Sequence, residues 1–161
     1  EKWNLEKIKT IGDAYMAAGG LPIRNKMNPI LTVLAGLEIN QYMKDQQELN
    51  PETWDIRIGI HTGPVISGIV GLKKYQYDIW GDTVNTASRI EGKAESGFIN
   101  ISKSTYIEVK DYFECSHRGK LEAKHKGLID MYNVIGLLPK YAVDGSTHIP
   151  NENLLSILNE Y

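Results

Sequence analysis

Tyr77-Asp78-Ile79-Trp80-Gly81-Asp82-Thr83-Val84-Asn85-Thr86-Ala87-Ser88-Arg89-Ile90-Glu91 is the stretch on which the fold turns. It opens extended, because Tyr77, Ile79 and Trp80 are strand formers. Gly81 interrupts the strand, and Asp82 is placed to cap a helix that follows at once. On that helix Asn85 and Arg89 stand one turn apart on one face, while Val84, Ala87 and Ile90 fall mostly on another and can pack inward. An amide and a fixed cation thus share an exposed face just after a carboxylate, Asp78, at the end of a strand. The arrangement suits a polar, partly anionic ligand such as a nucleotide. The spacing alone leaves a plain solvated helix face equally open.

Working outward, the 161 residues fit one domain with a sizeable core, and 42% hydrophobic with 24% charged residues is ordinary for a globular protein. A net charge of −2 offers no general attraction to nucleic acid or to a membrane surface, so any polyanion must be met by local Lys and Arg placement. The single Cys115 excludes an internal disulfide and a cysteine metal cluster, and a reducing, cytoplasmic setting is compatible with it. No apolar run approaches the roughly 20 residues of a membrane span, and no stretch of these residues reads as a signal peptide.

In chain order, residues 5–11 and 14–18 read as a hairpin with Gly12-Asp13 at the turn. The alternation in the first strand is imperfect, and the pattern does not assign its faces. Asn28-Pro29 opens a helix, with Asn28 as cap and Ile30, Val33, Leu34 and Leu37 at core spacing. Trp54 to His61 alternates as a strand, Gly63-Pro64 turns the chain, and Val65 to Val70 is expected to return as its partner. His61 reads either as a ligand or base, or as a structural histidine beside the turn, the latter preferred. Residues 98–101 form a short strand, and Ser102 caps a helix from Lys103 to Val109. Residues 113–116 are extended, 120–126 are basic, and 131–135 form a last strand. The domain is expected to occupy residues 1–136, followed by a tail, 137–161, with a short helix from Glu152 to Asn159. Helices among short strands, many joined by hairpins, indicate an α+β sandwich.

Two further stretches bear on function: Glu6 to Met16, which includes Lys9, Gly12 and Asp13, and Arg57-Ile58-Gly59-Ile60-His61-Thr62-Gly63-Pro64-Val65 running on to Gly71. With the Asp78–Arg89 segment, these resemble the motifs of the class III nucleotide cyclases, in that family's order and spacing, over residues 5 to about 136. The resemblance implies the ferredoxin-like cyclase fold, with a β-α-β-β-α-β core. It also implies that the opening strand and helices of that core, with one of its two metal aspartates, lie upstream of Glu1. The chain then reads as an N-terminally truncated adenylyl cyclase catalytic domain, itself of uncertain activity.

Cyclisation of a nucleoside triphosphate asks the ribose 3′ hydroxyl to attack the α-phosphorus and expel pyrophosphate. The protein's share is to align groups and neutralise charge. In the resembled family two aspartates hold two Mg²⁺ or Mn²⁺ ions, and Asp13 matches the second of them; without the motif it would read as a turn aspartate. Lys9 and Asp78, with Ile79 beside it, match the positions that read the purine edge. Adenine offers N6–H donors and an N1 acceptor, and guanine reverses that pattern. Lys with Asp is the adenylyl pattern, where guanylyl members carry Glu and a small residue such as Cys, so ATP is the expected substrate. The other reading of Lys9 is a solvated strand lysine. Arg89 matches the arginine that stabilises the transition state, Asn85 the residue that orients the ribose, and Arg57 a ligand of the β/γ-phosphates. Lys124 matches the lysine that binds the terminal phosphate. Its run Lys124-His125-Lys126-Gly127 lacks the family's glycine between the lysines, which makes Lys126 the alternative.

In the resembled family these groups meet only across a head-to-tail dimer. One chain carrying both sets implies a homodimer with two equivalent sites. The rival reading is a non-catalytic nucleotide-binding or regulatory module of the same fold.

Overall fold

Three sheets and four helices make up the computed structural model, which describes residues 2–123 and 126–160. The elements run β1 (Leu5–Ile11), β2 (Ala14–Gly19), α1 (Asn28–Leu49), β3 (Ile58–Ile60), β4 (Ile66–Val70), β5 (Gln76–Trp80), α2 (Asp82–Glu91), β6 (Ile99–Ser102), α3 (Lys103–Val109), β7 (Phe113–Ala123), β8 (Gly127–Leu137) and α4 (Glu152–Asn159). A four-stranded sheet has the order β3-β6-β8-β7, parallel between β3 and β6 and antiparallel elsewhere. The hairpins β1–β2 and β4–β5 stand as separate two-stranded sheets.

The first hairpin forms where its turn residues predict. Gly12 takes φ 61°, a left-handed backbone that glycine adopts without strain. The imperfect alternation of β1 has a physical cause. Lys7 pairs with Ala17 and Lys9 with Met16, so Ile8 is an extra residue, a bulge whose side chain is buried. Thr10 lies opposite Tyr15, and the Lys7 ammonium sits 5.5 Å over the Tyr15 ring. Lys7 therefore shares that face, and Lys9 is turned to the other.

Helix α1 is the central core helix, as its periodicity predicts. Val33 and Leu34 are fully buried (0% exposed) and meet Ile101 of β6, Val109 of α3 and Leu154 of α4, also at 0%. Burial of each such side chain stabilises the fold by about 1.5–3 kcal/mol. Its cap differs from expectation. The N-cap residue is Met27, Asn28 lies inside the helix, and it is Asn25 whose Oδ1 accepts the Met27 N–H at 2.7 Å. Asn28 instead lies against Gly20, where a Cβ would stand 2.3 Å from its Nδ2.

The expected pairing of Trp54–His61 with Val65–Val70 does not form. Only Ile58–Ile60 is strand, and it lies parallel to β6; β4 pairs antiparallel with β5. Residues before Ile58 are held by α1, where Gln47 Nε2 donates to the Trp54 carbonyl at 3.3 Å and to Asp55 Oδ1 at 2.8 Å. The long excursion from β3 through the β4–β5 hairpin and α2 is the crossover that the parallel pair requires.

Ser102 caps α3 as predicted, accepting from the Thr105 N–H at 3.3 Å. Strands β7 and β8 are longer than the expected segments and form one hairpin. In α4, Leu154 and Leu158 enter the core, and Asn151 Oδ1 caps the helix through the Leu154 N–H at 3.1 Å. No helix among the described residues is long and apolar enough to cross a membrane.

Candidate nucleotide site

Strand β5 delivers Asp78 at its centre, and β1 packs against β5. Because the bulge turns Lys9 away from Lys7, its Nζ reaches Asp78 Oδ2 at 2.7 Å. The other oxygen, Oδ1, accepts the Ile79 N–H at 2.8 Å. The Lys9 ammonium, and then the Ile79 amide, hold the Asp78 carboxyl below its usual range against the opposing effect of desolvation. Asp78 is only 8% exposed and Ile79 6%. The two polar side chains expected to read a purine edge therefore lie side by side, one a donor and one an acceptor.

Gly81, at φ 130°, ends β5 and is the N-cap of α2. Asp82 is not the cap. It is the first helical residue, and its carboxylate is free to pair with the Lys126 ammonium. Helix α2 is amphipathic, but of the three residues expected to pack inward only Ile90 is buried, while Val84 and Ala87 are half-buried. Ile90 is fully buried and Thr86 nearly so, whereas Asn85 is exposed and Arg89 half-buried on the outer side. Thr86 bonds back to the Asp82 carbonyl at 2.9 Å, which satisfies a buried hydroxyl.

The remaining residues approach this helix from other elements. Arg57, just before β3, sends Nε to Glu91 Oε1 at 3.0 Å, at the C-terminal end of α2, with its guanidinium largely exposed. Lys124 lies outside the described residues; Lys126 reaches the N-terminal end of α2 through Asp82. Asp13 is exposed at the β1–β2 turn. Its carboxylate is the right donor for a hard divalent cation. Among the described residues, however, no three His, Cys, Asp or Glu side chains gather into a metal-binding group. Asp13 thus offers one ligand rather than a complete site.

His61 has the structural role preferred for it. Its Nδ1 lies 2.8 Å from Ser102 Oγ and 3.2 Å from Ser104 Oγ, and Ser104 also donates to the Thr62 carbonyl at 3.0 Å. Burial, and then the charge of Lys126, lower the imidazole pKa, so the ring is neutral at physiological pH. Cys115 is half-buried, and burial pushes its thiol up to about 11. The contacts Asp82–Lys126 and Thr83–Pro64 were not foreseen. Each joins a residue of the quoted stretch to a loop distant in sequence, and nothing in the residue pattern announces such a pairing.

These elements form a strand–glycine–helix unit that presents a carboxylate, an amide and a guanidinium, with a lysine brought to the carboxylate from a second hairpin. Residues 1–136 match the model of the adenylate and guanylate cyclase catalytic domain, and the chain belongs to that family. It is 38% identical over 133 residues to the guanylate cyclase soluble subunit beta-2 of Rattus norvegicus, covering 80% of this chain and 19% of that protein. It is 33% identical over 136 residues to an adenylate cyclase of Mycobacterium bovis, covering 84% of this chain and 31% of the relative. The chain thus spans no more than about a third of these relatives' length. Its structure superposes with a TM-score of 0.78 on the guanylate cyclase domain of RhGC from Catenaria anguillulae in complex with GTP, at 36% identity and with 85% and 75% of the two chains covered. The α+β fold expected from the sequence is that of the class III cyclase domains.

Proposed function

We propose that this domain cyclises ATP to 3′,5′-cyclic AMP and pyrophosphate, as a homodimer in intracellular signalling. The observation that carries the choice of ATP is the Lys9–Asp78 pair at 2.7 Å. Asp78 accepts from the adenine N6–H and Lys9 donates to N1; guanine, with O6 and N1–H, would oppose both. Solved cyclase domains that bear either name share the fold, so the fold alone does not choose the base.

Binding and alignment fall to this chain's residues. Asn85 orients the ribose so that its 3′ oxygen stands in line with the α-phosphorus. The O3′–P bond forms as the bond from α-phosphorus to the bridging oxygen breaks; the hydroxyl proton is released and pyrophosphate departs. Arg89 meets the charge that develops at the α-phosphoryl oxygens, and Arg57 and Lys124 hold the leaving β- and γ-phosphates. Asp13 is proposed as one ligand of Mg²⁺ or Mn²⁺, which when bound would lend positive charge to the phosphates.

A second copy of the chain is the proposed partner, associated head to tail. The β4–β5 hairpin supports this. Ile66 and Ile69 are each 71% exposed, Tyr75 78% and Leu72 97%. A two-stranded sheet is marginal alone, and such an apolar surface invites cover.

The test supplies ATP and GTP separately with Mn²⁺ and measures both cyclic products. Preference for ATP supports the reading, and preference for GTP sinks it. A second reading is a module that binds nucleotide without turning it over, since among the described residues no group of three metal-ligating side chains includes Asp13. Saturable binding of ATP with no cyclic product would select it.

A further inference from the structure

Helix α2, which carries Asn85 and Arg89, is gripped at both ends by groups the reaction does not use. At the C-terminal end stands Asn100 of β6, completely buried (0% exposed). Its Nδ2 donates to the Ile90 carbonyl at 2.8 Å and lies 3.2 Å from Met131 Sδ. Its Oδ1 is buried with no partner among the described residues.

An unpaired buried acceptor costs about 1–3 kcal/mol, and an apolar residue of similar size would avoid that cost. The Ile90 carbonyl already accepts the Lys93 N–H at 3.2 Å, so the helix end does not depend on Asn100 for satisfaction. Stability therefore does not account for an asparagine here. Its position does, because the carbonyl it holds belongs to Ile90, the residue next to Arg89.

The helix is also seated closely along its length. A Cβ on Gly59 of β3 would come within 2.2 Å of the Glu91 nitrogen, and one on Gly63 within 2.6 Å of Thr83 Oγ1. Both are far inside contact distance, so α2 rests directly on the backbone of β3 and the turn after it. At the N-terminal end Thr83 Oγ1 donates to the Pro64 carbonyl at 2.6 Å. Two side-chain hydrogen bonds, at opposite ends, thus fix where the helix lies along this glycine seat.

We propose that Asn100 is a positioning residue for the reaction, with Thr83 as its counterpart: together they hold α2 so that Arg89 and Asn85 are aimed at the substrate. This rests on the reading of Arg89 given above. A displacement of about 1 Å in such a group costs on the order of 10²-fold in rate, so a clamp that adds nothing to stability can still decide activity.

The experiment compares Asn100→Leu, Thr83→Val, Thr83→Ser and Arg89→Ala in the whole chain. For Asn100→Leu the expected result is a melting temperature at or above wild type with kcat lowered about 10- to 100-fold and KM within about twofold. Amide exchange should quicken across residues 84–91 and stay unchanged in β8. Thr83→Ser should keep activity that Thr83→Val loses. Wild-type kcat with unchanged exchange in α2 would overturn the proposal. So would a lowered melting temperature with exchange quickened in β8 as well, since Asn100 would then be a core residue only. If Arg89→Ala keeps its kcat, the catalytic reading of α2 fails on its own, and the exchange pattern alone decides whether Asn100 holds the helix.

Discussion

Lys9 and Asp78 stand 69 positions apart in the chain and meet at 2.7 Å. They come from different hairpins, and the contact exists only because β1 lies against β5. The Lys9 side chain is 30% and that of Asp78 11% exposed, so the pair is sheltered yet reachable from one side. A base edge that approaches there meets a donor and an acceptor already held in place by each other, which lowers the cost of ordering them.

Exchange of that donor and acceptor should exchange the base. Lys9→Glu combined with Asp78→Cys is expected to move preference from ATP toward GTP, as read by the ratio of kcat/KM for the two triphosphates. An unchanged ratio would remove both residues from base recognition.

Loss of the α2 cation should act on the transition state. Arg89→Ala is expected to lower kcat by roughly 10²-fold or more with little change in KM, and Asn85→Ala to act in the same sense but less strongly. Steady-state kinetics with ATP check this; a near-normal kcat for Arg89→Ala would return that residue to an ordinary surface charge.

The half-buried imidazole of His61 makes stability depend on pH in a defined direction. The His61 pKa is depressed in the folded protein, so between that value and the usual ~6.5 the unfolded chain binds the extra proton. Stability contributed by neutral His61 is thus complete above about pH 6.5 and falls as the pH drops below it. Chemical denaturation of wild type and His61→Gln over pH 5 to 8 should show a slope in the first that is smaller in the second. Parallel profiles would mean that His61 is not the group responsible.

The exposed hairpin gives a test of assembly. Ile69→Asp together with Leu72→Asp is expected to lower the mass measured by light scattering from that of a dimer to that of a monomer, without loss of fold by circular dichroism. A wild-type chain that is already monomeric at high concentration would refute the dimer.

The elements most legible in the sequence were those with local signals. The Gly12-Asp13 turn, Ser102 before α3, and the leucine spacing of α4 each act within a few residues, and each appears where expected. What stayed hidden was pairing at a distance. Nothing in Ile58–Ile60 tells that its partner is β6 rather than β4, because a parallel strand leaves no turn to read. The stretch 120–126 reads as a basic run from Lys120, Lys124, His125 and Lys126, although strand β7 continues through its first half to Ala123. The motif residues stand out by type and spacing, and two of them, Lys9 and Asp78, meet in the fold. Their neighbours Thr83 and Asn100 do not stand out, because a hydroxyl or amide that bonds a remote carbonyl looks like any other in the chain.

The bulge at Ile8 carries a consequence for how such a domain can change its substrate. One surplus residue in β1 is what sends Lys7 and Lys9 to opposite faces. Deletion of Ile8 would leave Lys7 and Lys9 adjacent and still on opposite faces, because neighbours in a strand alternate, whereas pairing every residue of β1 without a bulge would bring both lysines to one side and withdraw the ammonium from Asp78. Under the proposed role of the Lys9–Asp78 pair, base choice would depend on the register of the β1–β2 hairpin as well as on the side chains themselves.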